Sequence, residues 1–161
     1  MNSVFGITGW KNAGKTTLTE RLVAEFVRRG WTVATVKHAH HAADIDHPGT
    51  DSFRHRAAGA TEVALVTAGR FAIVREQEEP SLAEVLARLA PADLVLVEGF
   101  KTAPHPKIEV RVDESRPMAP ADYNIVVIAS DHAGEGVLPR FARDDIAGIA
   151  DFIAAHVARA G

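Results

Sequence analysis

Residues 9–17 read GWKNAGKTT and come directly after the short apolar run SVFGIT. The spacing G-x-x-x-x-G-K-[ST], met by Gly9, Gly14, Lys15 and Thr16, constrains the chain more than any other feature, because it has a use only between the end of a strand and the start of a helix. Gly9 and Gly14 allow backbone angles and close approaches that a Cβ would block, so the N–H groups of Trp10, Lys11, Asn12 and Ala13 can turn inward around phosphate oxygens. Lys15 brings a mobile charge to the β and γ phosphates, Thr16 offers a hydroxyl to Mg²⁺, and the helix that continues through Thr17 aims its positive end at the anion. The stretch Gly9–Thr17 is therefore expected to cradle a nucleotide's phosphates, with Lys15 serving catalysis as well as binding.

The rest of the chain alternates short apolar runs with helical periodicity, as a sheet built from βαβ units does. Ser3–Thr8 reads as a strand and Lys15–Arg29 as a helix with Leu18, Leu22 and Phe26 on one face, stopped by Gly30. Trp31–Lys37 reads as the next strand, followed by the long polar loop HAHHAADIDHPGT. Thr50 or Asp51 caps a short helix closing at Gly59, and EVALVTAGRFAIVRE reads as two strands joined at Ala68, Gly69 and Arg70. A helix with Ser81 and Glu84 at capping-box spacing leads into Asp93–Val97, whose unbroken apolar character predicts a central strand buried on both faces. PKIEVRV and NIVVIAS supply further strands, and Ile146, Ile149, Ile153 and Val157 lie on one face of a last helix. The expected fold is α/β: a three-layer P-loop nucleotide-binding fold with a mostly parallel central sheet and an inserted β-hairpin, formed by residues 1–161 as one domain.

A formal net charge of −3 gives no basic excess of the kind that nucleic-acid and membrane-surface binders carry. Cysteine is absent, which excludes disulfides, thiolate metal sites and cysteine nucleophiles. No apolar run approaches the roughly 20 residues that span a bilayer, so a cytoplasmic protein without membrane partners is expected.

A P-loop needs an acidic residue near its Mg²⁺, and Glu98, directly after the buried strand, stands where most P-loop proteins have one. Asp44 and Asp46 are weaker alternatives in the polar loop. His38, His40 and His41, with His47 and His55 near in sequence, could serve Zn²⁺ or Ni²⁺, although the spacing fits no defined structural site. Arg54 and Arg56 could meet a phosphate.

The blocks GWKNAGKTTL, TVKHAHH, DHPGTDSFRHRAAGA and LVLVEGFK followed by PKIEV stand in an order and spacing that resembles the molybdopterin-guanine dinucleotide biosynthesis protein B family. The resemblance runs from Ser3 to about Arg111 and more weakly to the C-terminal helix. It implies a GTP-binding accessory protein with weak GTPase activity, usually a homodimer, that assists a partner guanylyltransferase in joining GMP to molybdenum-bound molybdopterin. Carried onto this chain, it gives Gly9–Thr17 the phosphates, Thr16 and Glu98 the Mg²⁺, and the loop from His38 to Ser52 a place over the nucleotide. No N-K-x-D or T-K-x-D stretch occurs, so a choice of guanine rests on the resemblance, with Asp131 after IVVIAS as the residue to accept from the base edge. Two other readings stay open: a small-molecule P-loop kinase and a nickel- or zinc-delivery GTPase.

Overall fold

A computed structural model describes residues 3–39, 45–118, 123–134 and 136–160. In chain order its elements are β1 (Ser3–Thr8), α1 (Lys15–Arg28), β2 (Val33–Lys37), α2 (Asp51–Ala57), β3 (Glu62–Val66), β4 (Phe71–Arg75), α3 (Leu82–Arg88), β5 (Leu94–Glu98), β6 (Lys107–Val110), β7 (Ile125–Ala129), β8 (Arg140–Phe141) and α4 (Ile146–Ala160). Six strands form a parallel sheet in the order β2-β5-β1-β6-β7-β8, while β3 and β4 pair antiparallel as a separate hairpin. The chain divides into two compact units, residues 1–38 with 82–161, and residues 39–81.

In the larger unit, strand alternation sorts the apolar residues into two layers. Leu94 and Leu96 of β5 join Phe5 and Ile7 of β1 under Leu18, Leu22 and Phe26 of α1 and Ile149, Ile153 and Val157 of α4. Val95 and Val97 point the other way, to Val36 and to Leu82 of α3. Helices thus cover both faces of the sheet, and a strand buried on both sides has no polar residue to alternate. Helix α1 ends as its sequence predicts, with Gly30 at φ 87° and its N–H bonded to Val27 O at 2.9 Å. Two strand starts differ from the sequence reading. The Asp93 carboxylate accepts from both the N–H and the hydroxyl of Thr32 at 2.7 Å, a tie that precedes β2 and β5 rather than extending them. Trp31 instead packs its ring on Phe26, centroids 5.0 Å apart. Strand β8 is two residues long and has no periodicity from which to be predicted.

Because β1 lies between β5 and β6, residues 99–106 must cross it. Gly6 leaves the room: a Cβ there would stand 2.5 Å from His105 Nε2 and 2.6 Å from Lys107 Cγ. The Gly6 N–H donates to Pro106 O at 2.8 Å, fastening the crossing segment to the strand beneath it. Strand β6 sends Ile108 and Val110 into the α1 and α4 core, while Lys107 and Glu109, and Arg111 just beyond, are buried at the alternate positions. Lys107 Nζ donates to the carbonyls of Ala103 and His105 at 2.5 and 3.0 Å, and burial lowers its pKa to about 8. Among the described residues neither ring nitrogen of buried His105 has a hydrogen-bond partner, and burial, helped by the Lys107 charge, lowers its pKa to about 4. Glu109 receives Arg111 and the Met118 N–H, and Arg111 reaches on to Glu114, which also receives Ser130 and Arg140.

In the smaller unit Thr50 caps α2, accepting the Phe53 N–H at 3.4 Å. The hairpin turns through Thr67–Arg70 and pairs Val66 with Phe71 and Ala64 with Ile73. Val66, Phe71 and Ile73 share one face and are 77%, 73% and 54% exposed. Among the described residues no helix is long and apolar enough to cross a membrane.

Candidate functional site

The loop after β1 is shaped by left-handed residues. Gly9 (φ 146°), Asn12 (φ 62°) and Gly14 (φ 95°) reverse the chain, and at Gly9 a Cβ would meet Val110 O at 2.5 Å. Gly14 occupies the N-cap of α1, where no side chain takes up the free N–H groups, and the first turn holds no acidic residue. Those donors and the positive end of the helix are left for an anion. Lys15 Nζ rests on the Trp10 carbonyl at 2.8 Å.

Parallel pairing then brings Glu98 to this loop, since Ile7 of β1 and Lys37 of β2 both stand beside it in register. Thr16 Oγ1 lies 3.2 Å from each Glu98 carboxylate oxygen. Lys37 Nζ is 3.8 Å from the same carboxylate, which is only 12% exposed. Burial lowers the Lys15 pKa; Glu98 opposes that effect, and the charges of Lys101 and Lys37 add to it. A hydroxyl and a carboxylate are the hard oxygen donors that Mg²⁺ takes, and an ion that keeps several waters and phosphate oxygens needs few protein ligands. The residues therefore fit Mg²⁺, which when bound would neutralise phosphate charge. Among the described residues no group of three or more histidine, aspartate or glutamate side chains is arranged to hold a metal by itself.

Asp131 follows β7 and lines a cavity of about 350 Å³ with Ala13, Gly14, Thr17, Leu18 and Arg143. Its carboxylate accepts the Arg143 backbone N–H at 2.9 Å and Nε at 2.7 Å, contacts that lower its pKa. The structure thus gathers Gly9, Trp10, Lys11, Asn12, Ala13, Gly14, Lys15, Thr16 and Thr17, Glu98 and Asp131 at the C-terminal ends of β1, β5 and β7 in one parallel sheet.

Other sequence candidates have local roles. Asp46 accepts from Ser52 Oγ at 2.7 Å and Thr50 Oγ1 at 3.1 Å, which organises the turn into α2. Arg56 bonds Glu76 at 2.6 Å. His38 stacks on Phe100 with centroids 4.5 Å apart. His40, His41 and Asp44 lie outside the described residues. Sequence reasoning missed the cations around the loop: Lys101 Nζ and Arg116 Cζ each stand 5.3 Å from the Trp10 ring centroid, and Trp10 Nε1 donates to Arg116 O at 2.7 Å. It also missed the buried charges of PKIEVR, whose signal was available: a strand with Lys, Glu and Arg at alternate positions among otherwise apolar strands.

The sequence model of the family described as molybdopterin guanine dinucleotide synthesis protein B matches residues 4–131. A molybdopterin-guanine dinucleotide biosynthesis adapter protein of Haemophilus influenzae is 38% identical over 93% of this chain and 86% of its own length. The protein of the same description from Escherichia coli is 33% identical over 95% and 92%. The crystal structure of a MobB protein homolog from Bacillus stearothermophilus superposes with a TM-score of 0.74 at 31% identity, covering 98% of this chain and 99% of that one.

Proposed function

The chain belongs to the molybdopterin guanine dinucleotide synthesis protein B family, and on that premise we propose that it is an adapter which binds GTP with Mg²⁺, hydrolyses it slowly, and assists a partner guanylyltransferase in attaching GMP to molybdenum-bound molybdopterin. The observation that carries the nucleotide reading is the uncapped start of α1 beside Thr16 and Glu98: free backbone donors, a lysine and two oxygen ligands converge where a triphosphate and its cation need them. Lys15 leaves the Trp10 carbonyl to meet the β and γ phosphates. Thr16 and Glu98 hold the hydrated cation, and Glu98 orients charge and water beside the γ phosphate. Asp131 serves the guanine edge after releasing Arg143.

In this reading residues 1–161 act as one nucleotide-binding domain, interrupted in sequence by the unit 39–81, and work in the cytoplasm. The exposed apolar face of β3 and β4 is covered by a second copy in a homodimer, since an unpaired hairpin with such a face invites pairing. Calorimetry with GTP and ATP, each with Mg²⁺, tests the proposal on folded wild-type protein and Lys15→Ala. GTP binding that is tighter than ATP binding and lost in Lys15→Ala supports it; undiminished affinity in the variant removes the P-loop assignment.

A further inference from the structure

Two consecutive residues after Glu98 take the left-handed conformation, Gly99 at φ 97° and Phe100 at φ 45°. The first is open only to glycine, because a Cβ would stand 2.7 Å from His38 Cβ. The second is uncommon for a bulky side chain, and such outliers persist where surrounding contacts impose them. Here the Phe100 ring stacks on His38 at an interplanar angle of 22°, and Phe100 O accepts the Ala103 N–H at 3.0 Å.

The double turn delivers Lys101 to the P-loop, with its Nζ over the Trp10 ring. Lys15 Nζ rests on the carbonyl of the same tryptophan at 2.8 Å, so both ammonium groups are held at Trp10. Lys37 Nζ, in turn, is 3.8 Å from the Glu98 carboxylate that faces Thr16 Oγ1. Like charges gathered in this way repel one another, and a polyanion among them relieves the repulsion. Lys101 thus stands beside Lys15, the residue type that reaches the β and γ phosphates in such a loop, and neither lysine lines the cavity that holds Asp131.

We infer that Lys101 is a contact for the terminal phosphate of the bound nucleoside triphosphate, supplied within the chain by the turn after β5 and drawn off the Trp10 ring when that phosphate arrives. The inference rests on the proposed nucleotide binding and adds to it a means of telling triphosphate from diphosphate.

The test titrates a non-hydrolysable GTP analogue and, separately, GDP, both with Mg²⁺, into wild-type protein, Lys101→Met and Lys101→Arg, after thermal melts show all three equally folded. Lys101→Met should weaken the triphosphate analogue at least tenfold and change GDP affinity less than about twofold, and Lys101→Arg should recover most of the loss. Trp10 and Trp31 are the two tryptophans, so in a Trp31→Phe background the analogue should shift Trp10 emission, and Lys101→Met should abolish that shift. Equal losses for both nucleotides, or none for either, would overturn the role of Lys101 while leaving the P-loop reading intact. A folded wild-type protein that binds neither nucleotide would remove the P-loop reading, and Lys101 with it.

Discussion

Gly6→Ala is the most direct test of how the fold delivers Glu98 and Lys101 to the P-loop. A methyl group at Gly6 would lie 2.5 Å from His105 Nε2, 2.6 Å from Lys107 Cγ and 2.8 Å from His105 Cδ2. Ordinary contact begins at about 3.5 Å, so the crossing segment must lift by roughly 1 Å. The Gly6 N–H to Pro106 O bond, 2.8 Å long, would then stretch beyond hydrogen-bond range. Neither neighbour can swing aside easily, since Lys107 is fully buried and His105 is 8% exposed. Overpacking costs about 1–3 kcal/mol and the lost bond about 1 kcal/mol, while the stiffer unfolded chain returns about 0.4–1 kcal/mol. The expected net loss is about 2 kcal/mol, or roughly 4–8 °C in Tm for a chain of this size. Urea unfolding gives the free energy and scanning calorimetry the Tm. Adding His105→Ala should restore about half of the loss, as a double-mutant cycle would show. Nucleotide affinity should fall as well, because Lys101 rides on the displaced segment. Gly6→Ala within about 0.5 kcal/mol of wild type, or a loss that His105→Ala leaves untouched, would refute the reasoning.

Glu98→Gln should still bind GTP, with a weaker Mg²⁺ dependence, and its hydrolysis should fall at least tenfold, about 1.4 kcal/mol of transition-state stabilisation; single-turnover assays across Mg²⁺ concentrations measure both. His105 stays neutral in the fold down to about pH 4 while the unfolded chain takes up its proton near pH 6.5. The unfolded state therefore binds more protons in that window, and stability should drop by up to about 3 kcal/mol as pH falls from 6.5 to 4. His105→Leu should flatten that limb in urea titrations at pH 7 and pH 5. Light scattering at micromolar concentration should give a dimeric mass for wild type, and Phe71→Glu, on the exposed hairpin face, should shift it toward monomer.

Residue spacing by itself determined the strand before the glycine-rich loop and the helix after it, the burial of β5 and the stripe of α4. These are local matters: a glycine that must turn, or an apolar residue every second or every third to fourth position, leaves its mark in a short window of sequence. Strand order and register leave no such mark. That Glu98 stands 3.2 Å from Thr16 follows from β5 pairing with β1, and the presence of Lys101 follows from the turn that carries the chain across β1 to β6. The charges of β6 show the same division. Their alternation was legible, but their burial was decided by the segments that fold over them, because a charged side chain can leave water only where a distant part of the chain supplies its partners.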